Sequence, residues 1–569
     1  MITGEFYQYL LCSPSTNYEY QQIKAKLAVS SLIDWSLVNL VIQNQEKPLS
    51  KKLLRSGLIV SVMTLVSRVL GLVRDVVLAG LLGASAHADV YYLAVKIPNF
   101  MRRLFAEGAF AQAFVPVLSE YQNQDDKDKV RELIAYASGT LGTIITVVAI
   151  VGVIGSPILI ALFGAGWFIG GINDGEAAQK YELASVMLKI TFPYLWFITL
   201  VALSGSILNA MGRFAVASFT PVFLNVAIIA TALYIAPHFE ETAIGLAWGW
   251  FLGGLLQLLF QLPFLYRAKV LVKPKWGWHD PGVTKIRTLM IPALFGVSVS
   301  QINLLFDTMI ATFLITGSVS WLFFSDRLLE FPLGMFGIAI ATVILPSLSR
   351  FHSSDSTRDF SQTMDWAVRM ILMMGLPAAL GLMVLAQPLV TVIFMHGEFS
   401  SSDALMASYS LIAYATGLLS FMMIKILAPG FYARQDTKTP VKIGIRAMIA
   451  NMVFNAVFAF SLGYQYGYIG LAFATSLSAT CNAFWLYRQL KADGVYQFSQ
   501  NTLIFAVKSL IATAVMVTLV WTVNPSAEQW FGYEKSSQIL TLVKLIGIAL
   551  VSYFSTLFVT GFRLRHLKA

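Results

Sequence analysis

Between Ser67 and Gly108 the sequence sets eight charged side chains in an apolar background: Arg68, Arg74, Asp75, Asp89, Lys96, Arg102, Arg103 and Glu107. A charge at the centre of a membrane-spanning helix costs roughly 2.5–3.5 kcal/mol on insertion scales. Such groups therefore face a bundle interior or a wet cavity. Five of the eight are cations, so a cavity built from them selects an anionic cargo. Arg68 and Arg74 lie six residues apart, a net rotation of about 240°, and do not share one narrow helix face. Asp75 is placed to hold a guanidinium at the cavity rim. Arg102 and Arg103 are adjacent, so one is expected to point into the cavity. The other is expected to snorkel, or to pair with Glu107 one turn on. In the second half, SDRLLEFP supplies Asp326, Arg327 and Glu330. Arginine suits a diphosphate better than lysine, because its planar fork makes bidentate contacts and keeps its charge. The competing reading is a set of interhelical salt bridges that only hold the bundle.

A second polar cluster lies further along. Asp307 sits mid-span in QINLLFDTMIATFL, Asn451 and Asn455 are four apart on one helix face, and Thr475 falls in the next span. A carboxylate with amide and hydroxyl oxygens can hold a monovalent cation, or Asp307 can carry a proton. The alternative is an interhelical hydrogen-bond network, each bond worth roughly 0.6–2 kcal/mol.

The elements that must position these groups are membrane helices. The chain is 57% hydrophobic and 12% charged, against about 25% charged in ordinary globular proteins, and its mean hydropathy is +0.69. Long apolar blocks alternate with short polar loops, the polytopic helical pattern. Fourteen blocks are long enough to span, from about 57–82 to about 538–562. Every second loop is basic, beginning with Lys51, Lys52 and Arg55 and ending with Arg563, Arg565 and Lys568. By the positive-inside rule both termini are cytoplasmic, which requires an even number of spans.

The two halves echo each other. A shift of 234 sets Gly83 on Gly317 and Pro98 on Pro332, and AFVPVLSEY resembles VILPSLSRF. Thr220-Pro221 after Arg213 resembles Thr439-Pro440 after Arg434. The expected fold is an all-α polytopic membrane protein with two pseudo-symmetric six-helix lobes plus two C-terminal helices. Residues 51–280 make the first lobe, 281–495 the second, and 496–569 the extra pair with the tail. Parallel repeats of this kind place substrate between the halves. Residues 1–50 show no charged-then-apolar signal pattern. They are expected to be a poorly ordered extension or an upstream start read in error, and no function is assigned to them.

Net charge of +10 fits cytoplasmic loops against anionic lipid, and no basic soluble domain for nucleic acid is present. Cys12 and Cys481 are the only cysteines, so no CxxC motif exists. No HExxH, Walker A or GxSxG motif occurs. The expectation is a secondary transporter, not an enzyme, driven by an ion gradient, the membrane potential or the cargo's own gradient.

From about Leu53 onward the chain resembles the MurJ (MviN) lipid II flippases of the MOP exporter superfamily. The motifs that carry this are SRVLGLVRD, FAEGAFAQAFVPVLSEY, LKITFPY, GVSVSQINLL, SVSWLFFSDRLLEFP and LAPGFYARQDTKTPVKI. The resemblance implies fourteen helices around a cationic cavity, with the last two forming a groove for a polyprenyl tail. It implies flipping of lipid II, an undecaprenyl-diphosphate-linked disaccharide-pentapeptide, from the cytoplasmic to the periplasmic face of a bacterial inner membrane. By motif, the cavity arginines fall on Arg68, Arg74, Arg102 and Arg327, with Asp75, Asp89, Asn99, Glu107 and Glu330 as associated positions. Asp307, Asn451, Asn455 and Thr475 resemble a sodium site found in some members, although Asn455 stands where an Asp can occur. The implied partners are lipid II, membrane lipids and the peptidoglycan synthesis machinery, with the protein a monomer. No cofactor is implied, and sodium and proton coupling both stay open. The rival reading is another MOP-class exporter, for an O-antigen-type polyprenyl-diphosphate glycolipid.

Overall fold

The computed structural model describes residues 60, 62–104, 110–124, 126–354 and 356–563, without the side chains of 293, 295–300 and 338. Residues 1–50 and Glu107 lie outside the described residues. Met1–Met63 and Thr64–Ala569 separate into two units, and the fold that follows is that of the second.

Among the described residues there are helices and no strands. Eleven helical stretches are long and apolar enough to cross a membrane. The helix 62–82, the broken pair Ala86–Arg102 and Phe110–Gln122, and Pro281–Ala311 occupy the three remaining places where the sequence sets spans. This is consistent with fourteen. The helices start where short polar side chains can satisfy free amides. Ser85, Asp126, Asp174, Asp280 and Ser499 each cap the following helix, and Ser400 with Asp403 forms a reciprocal capping box. Inner and outer helices separate by burial. The apolar window of Gly175–Ala210 is 61% buried, whereas that of Gln500–Val523 is 28% buried. The outer helices turn residues such as Val151, Ile154, Leu510 and Val543 outward, as a lipid-facing surface requires.

The repeat seen in the sequence occupies equivalent places in the two halves. Gly83 and Gly317 both hold positive φ, 60° and 98°, in the turn before the second helix of each half. A side chain is strained there. Pro98 and Pro332 then lie near the ends of Ala86–Arg102 and Ser318–Pro332. Each is followed by a wider π-turn, at 103–104 and at Leu333–Gly337. Proline withholds one backbone donor, and the ladder adjusts beyond it. Helix then resumes at Phe110 and Ile338, carrying Pro116 and Pro346.

In the first lobe, Ala86–Arg102 packs on Gly175–Thr191 and Thr242–Arg267. In the second, Ser318–Pro332 packs on Ser401–Ala415, and Lys438–Ser461 on Gly463–Ala492. The extra helices Gln500–Val523 and Lys535–Val559 pair with each other, and the first also lies on Thr357–Val384.

At one end the lobes are clasped together. Asp89, 2% exposed, accepts from the Gly317 and Ser320 amides at 2.7 and 2.9 Å and from the Ser320 hydroxyl at 2.6 Å. It thus caps a helix of the other lobe, where a carboxylate also meets the positive end of the helix dipole. Lys180 bridges Glu176 at 2.8 Å and Thr316 at 2.5 Å. The Gly166 amide donates to Thr312, and the Glu398 amide to the Gly80 carbonyl.

A cationic cavity between the lobes

A cavity of about 390 Å³ opens between the lobes. The helix 62–82 brings Arg74 and Asp75 to its wall, and Ala86–Arg102 brings Lys96, Asn99 and Arg102. The second lobe answers with Asp307 and Thr308 from Pro281–Ala311, and with Asp326, Arg327 and Glu330 from Ser318–Pro332.

The centre of the wall is one shared carboxylate. Asp75 has no exposed side-chain surface. Its Oδ1 accepts from Arg74 Nη2 at 2.6 Å and Nε at 2.9 Å, and its Oδ2 accepts from Arg327 Nε at 2.5 Å. Arg74 also donates to Asn225 Oδ1 at 3.1 Å, and Arg327 to Glu330 Oε2 at 3.1 Å. Asn225 is held by its own bond to the Ser67 carbonyl. The chain Asn225–Arg74–Asp75–Arg327–Glu330 therefore ties the two lobes by paired charges. Arg327 remains 34% exposed at its side chain and Glu330 45%. An anion entering the cavity meets a guanidinium with donors to spare.

Arg102 and Arg103 both line the cavity, contrary to the expectation that only one would. The α-helix gives way to a π-turn here, with Arg102 half-buried and Arg103 exposed. Arg102 Nε donates to Asn99 Oδ1 at 3.1 Å. Arg103 Nη1 reaches across to Gln301 Oε1 at 3.4 Å. Two residues grouped with this site by motif stand elsewhere. Asp89 is at the clasped end, where its oxygens are consumed as a cap. Arg68 is exposed and lies against Gly334 of the other lobe, where a Cβ would come within 2.5 Å of its Nη1.

The second cluster assembles as its spacing suggested. Asp307 Oδ1 accepts from Asn451 at 2.9 Å and Asn455 at 2.5 Å, and Oδ2 accepts from Thr475 at 3.2 Å. Asn451 also donates to Asn303. The Oδ1 atoms of Asn451 and Asn455 are both buried without a partner. Two orphaned carbonyl oxygens beside a buried carboxylate and a hydroxyl fit a small monovalent cation, which takes hard oxygen ligands. Asp307 and Thr475 also face the cavity, which gives such an ion a route in.

Lys96 and Asp326 stand among the charged side chains of the sequence but outside the positions the motifs assign to the site, and Asn225 was not singled out at all. Lys96 is the one lysine within its helix, a signal as strong as that of the arginines. Asn225 was legible only as a lone polar residue in PVFLNVAIIA.

Two six-helix lobes, clasped at one end and lined with paired charges around a cavity, define a two-lobed membrane transporter. Residues 78–542 match the family described as Lipid II flippase MurJ, and the chain belongs to that family. It is 62% identical over 525 residues to a "Probable lipid II flippase MurJ" of Vibrio cholerae, covering 92% of this chain and 99% of that protein. It is 38% identical to the "Lipid II flippase MurJ" of Burkholderia cenocepacia, covering 91% and 99%. A solved lipid II flippase MurJ in an inward closed conformation superposes with a TM-score of 0.72 at 26% identity, covering 88% of this chain and 98% of that one. An inward-facing multidrug resistance MATE transporter of the MOP superfamily shares the fold, with a TM-score of 0.62 at 14% identity over 76% of this chain and 98% of its own.

Proposed function

We propose that this chain flips lipid II from the cytoplasmic to the periplasmic face of a bacterial inner membrane, supplying the peptidoglycan synthesis machinery. It moves its substrate without altering it. The observation that carries the reading is the cavity wall, where Arg74 and Arg102 of one lobe meet Arg327 of the other. A diphosphate dragged through hydrocarbon loses its hydration with no hydrogen bonds in return, a prohibitive cost. A wet cationic passage replaces that hydration with guanidinium donors.

Arg74 and Arg327 now share Asp75, so an entering diphosphate takes over donors from that carboxylate. Both lobes then hold the same ligand, and rocking about it carries the head group across while the polyprenyl tail stays in lipid beside Gln500–Val523 and Lys535–Val559. The clasp at Asp89 and Lys180 is the contact that must part for release. With both termini cytoplasmic, that clasp lies on the periplasmic side. Asp307, Asn451, Asn455 and Thr475 hold a monovalent cation, sodium foremost, whose gradient drives the return. The protein acts as a monomer, a reading supported by Arg74, Arg102 and Arg327 all reaching the cavity from one chain.

The test uses purified protein in proteoliposomes with labelled lipid II and, separately, a labelled O-antigen-type polyprenyl-diphosphate glycolipid. Protein-dependent movement of lipid II is expected. Movement of the O-antigen-type lipid alone would reject the assignment.

A further inference from the structure

Lys96 has no role in the diphosphate network above, yet it stands at the most informative place in the cavity. It belongs to the first lobe, and its Nζ donates to Thr308 Oγ1 of the second at 2.5 Å. Thr308 turns its own hydroxyl proton back to the Leu304 carbonyl at 2.9 Å, so its oxygen is fixed as an acceptor. Thr308 directly follows Asp307, and Lys96, Asp307 and Thr308 share the cavity wall. The carboxylates of Asp326 and Glu330 and the guanidinium of Arg103 line the same cavity as Lys96 and Asp307.

We infer that Lys96 is the residue through which the charge at Asp307 is communicated to the contact between the lobes. This rests on the reading of Asp307 as a cation site. While Asp307 is bare and ionised, its charge helps hold the Lys96 ammonium against the second lobe. A cation seated at Asp307 cancels that attraction, weakens the Lys96–Thr308 contact and lets the lobes move apart there. Coupling is reciprocal. If bound sodium loosens Lys96, then removing the Lys96 charge must tighten sodium binding by the same factor.

The experiment measures two things on full-length protein in nanodiscs. Equilibrium binding of radiolabelled sodium gives affinity. Spin labels at Asn123 and Ser353, with Cys12 and Cys481 replaced by serine, give the distance between the lobes with and without sodium. In the parent protein sodium should shift that distance distribution. Lys96→Met should bind sodium more tightly, by a factor within the roughly 5–150-fold range usual for coupled sites, and its distances should no longer respond. Lys96→Arg should restore the response. Thr308→Val, which removes the hydroxyl that accepts from Lys96, should also blunt the response while leaving sodium bound. Asp307→Asn should bind no sodium and should show the sodium-loaded distribution throughout. Unchanged affinity and an intact distance response in Lys96→Met would overturn the inference while sparing the cation site. Absence of sodium binding to the parent protein would overturn both.

Discussion

Asp75 serves two arginines from opposite lobes, and its two oxygens are divided between them. Removing its charge leaves Arg74 and Arg327 facing each other without their shared partner. Asp75→Asn should therefore destabilise the protein by about 2 kcal/mol, below the roughly 3–5 kcal/mol typical of a fully buried pair, because Arg327 is 34% exposed. Thermal denaturation in detergent checks this. Arg327→Lys tests a different property. It keeps the charge and loses the fork, and a hydrogen bond to a charged group is worth roughly 1.5–3 kcal/mol. Lipid II translocation should fall about ten- to hundredfold by that principle, with little change in melting temperature. A wild-type rate in this variant would show that point charge alone suffices.

At the scale of elements, the clasped end depends on one lobe capping the other. Asp89→Ala leaves the amides of Gly317 and Ser320 without their acceptor and removes three bonds across the lobe boundary. Spin labels at Asn173 and Glu398, both exposed, should report a longer and broader distance in this variant. An unchanged distribution would mean that Lys180 and the apolar contacts close this end without Asp89. His396, in the loop at the same end, adds a pH dependence. Burial lowers its pKa from the usual 6.5, and the charge of Lys535 lowers it further, against the pull of hydrogen bonds with the backbone of Val76 and Phe394. The unfolded chain therefore takes up a proton near pH 6.5 that the folded loop resists. Stability then rises with pH through this window and falls as pH drops below about 6.5. Melting temperatures at pH 7.5 and 5.5 should differ more in the parent protein than in His396→Gln.

For the whole molecule, the sequence was legible where its signals are long. Apolar blocks and alternating basic loops specify spans, and the paired Gly83/Gly317 and Pro98/Pro332 mark two copies of one helix arrangement. Asp307, Asn451, Asn455 and Thr475 came together because an i, i+4 amide pair fixes a helix face. What could not be read was which lobe each charge serves. Asp89 and Asp75 both look like acids in an apolar segment, yet one caps a distant helix and the other bridges two arginines. That difference depends on packing between residues more than two hundred positions apart. Arg102 and Arg103 both line the cavity, where regular helical rotation led to the expectation of one, because the helix passes into a π-turn there.

In the proposed mechanism, guanidiniums of both lobes take hold of a phosphate-bearing lipid. The most direct measurement is the rate of lipid II translocation in proteoliposomes for Arg74→Ala, Arg102→Ala and Arg327→Ala, alongside the melting temperature of each. A fall of at least about tenfold is expected in every case, the worth of one charged hydrogen bond, with the folded protein retained. Parent-like translocation by well-folded Arg74→Ala or Arg327→Ala would contradict the mechanism.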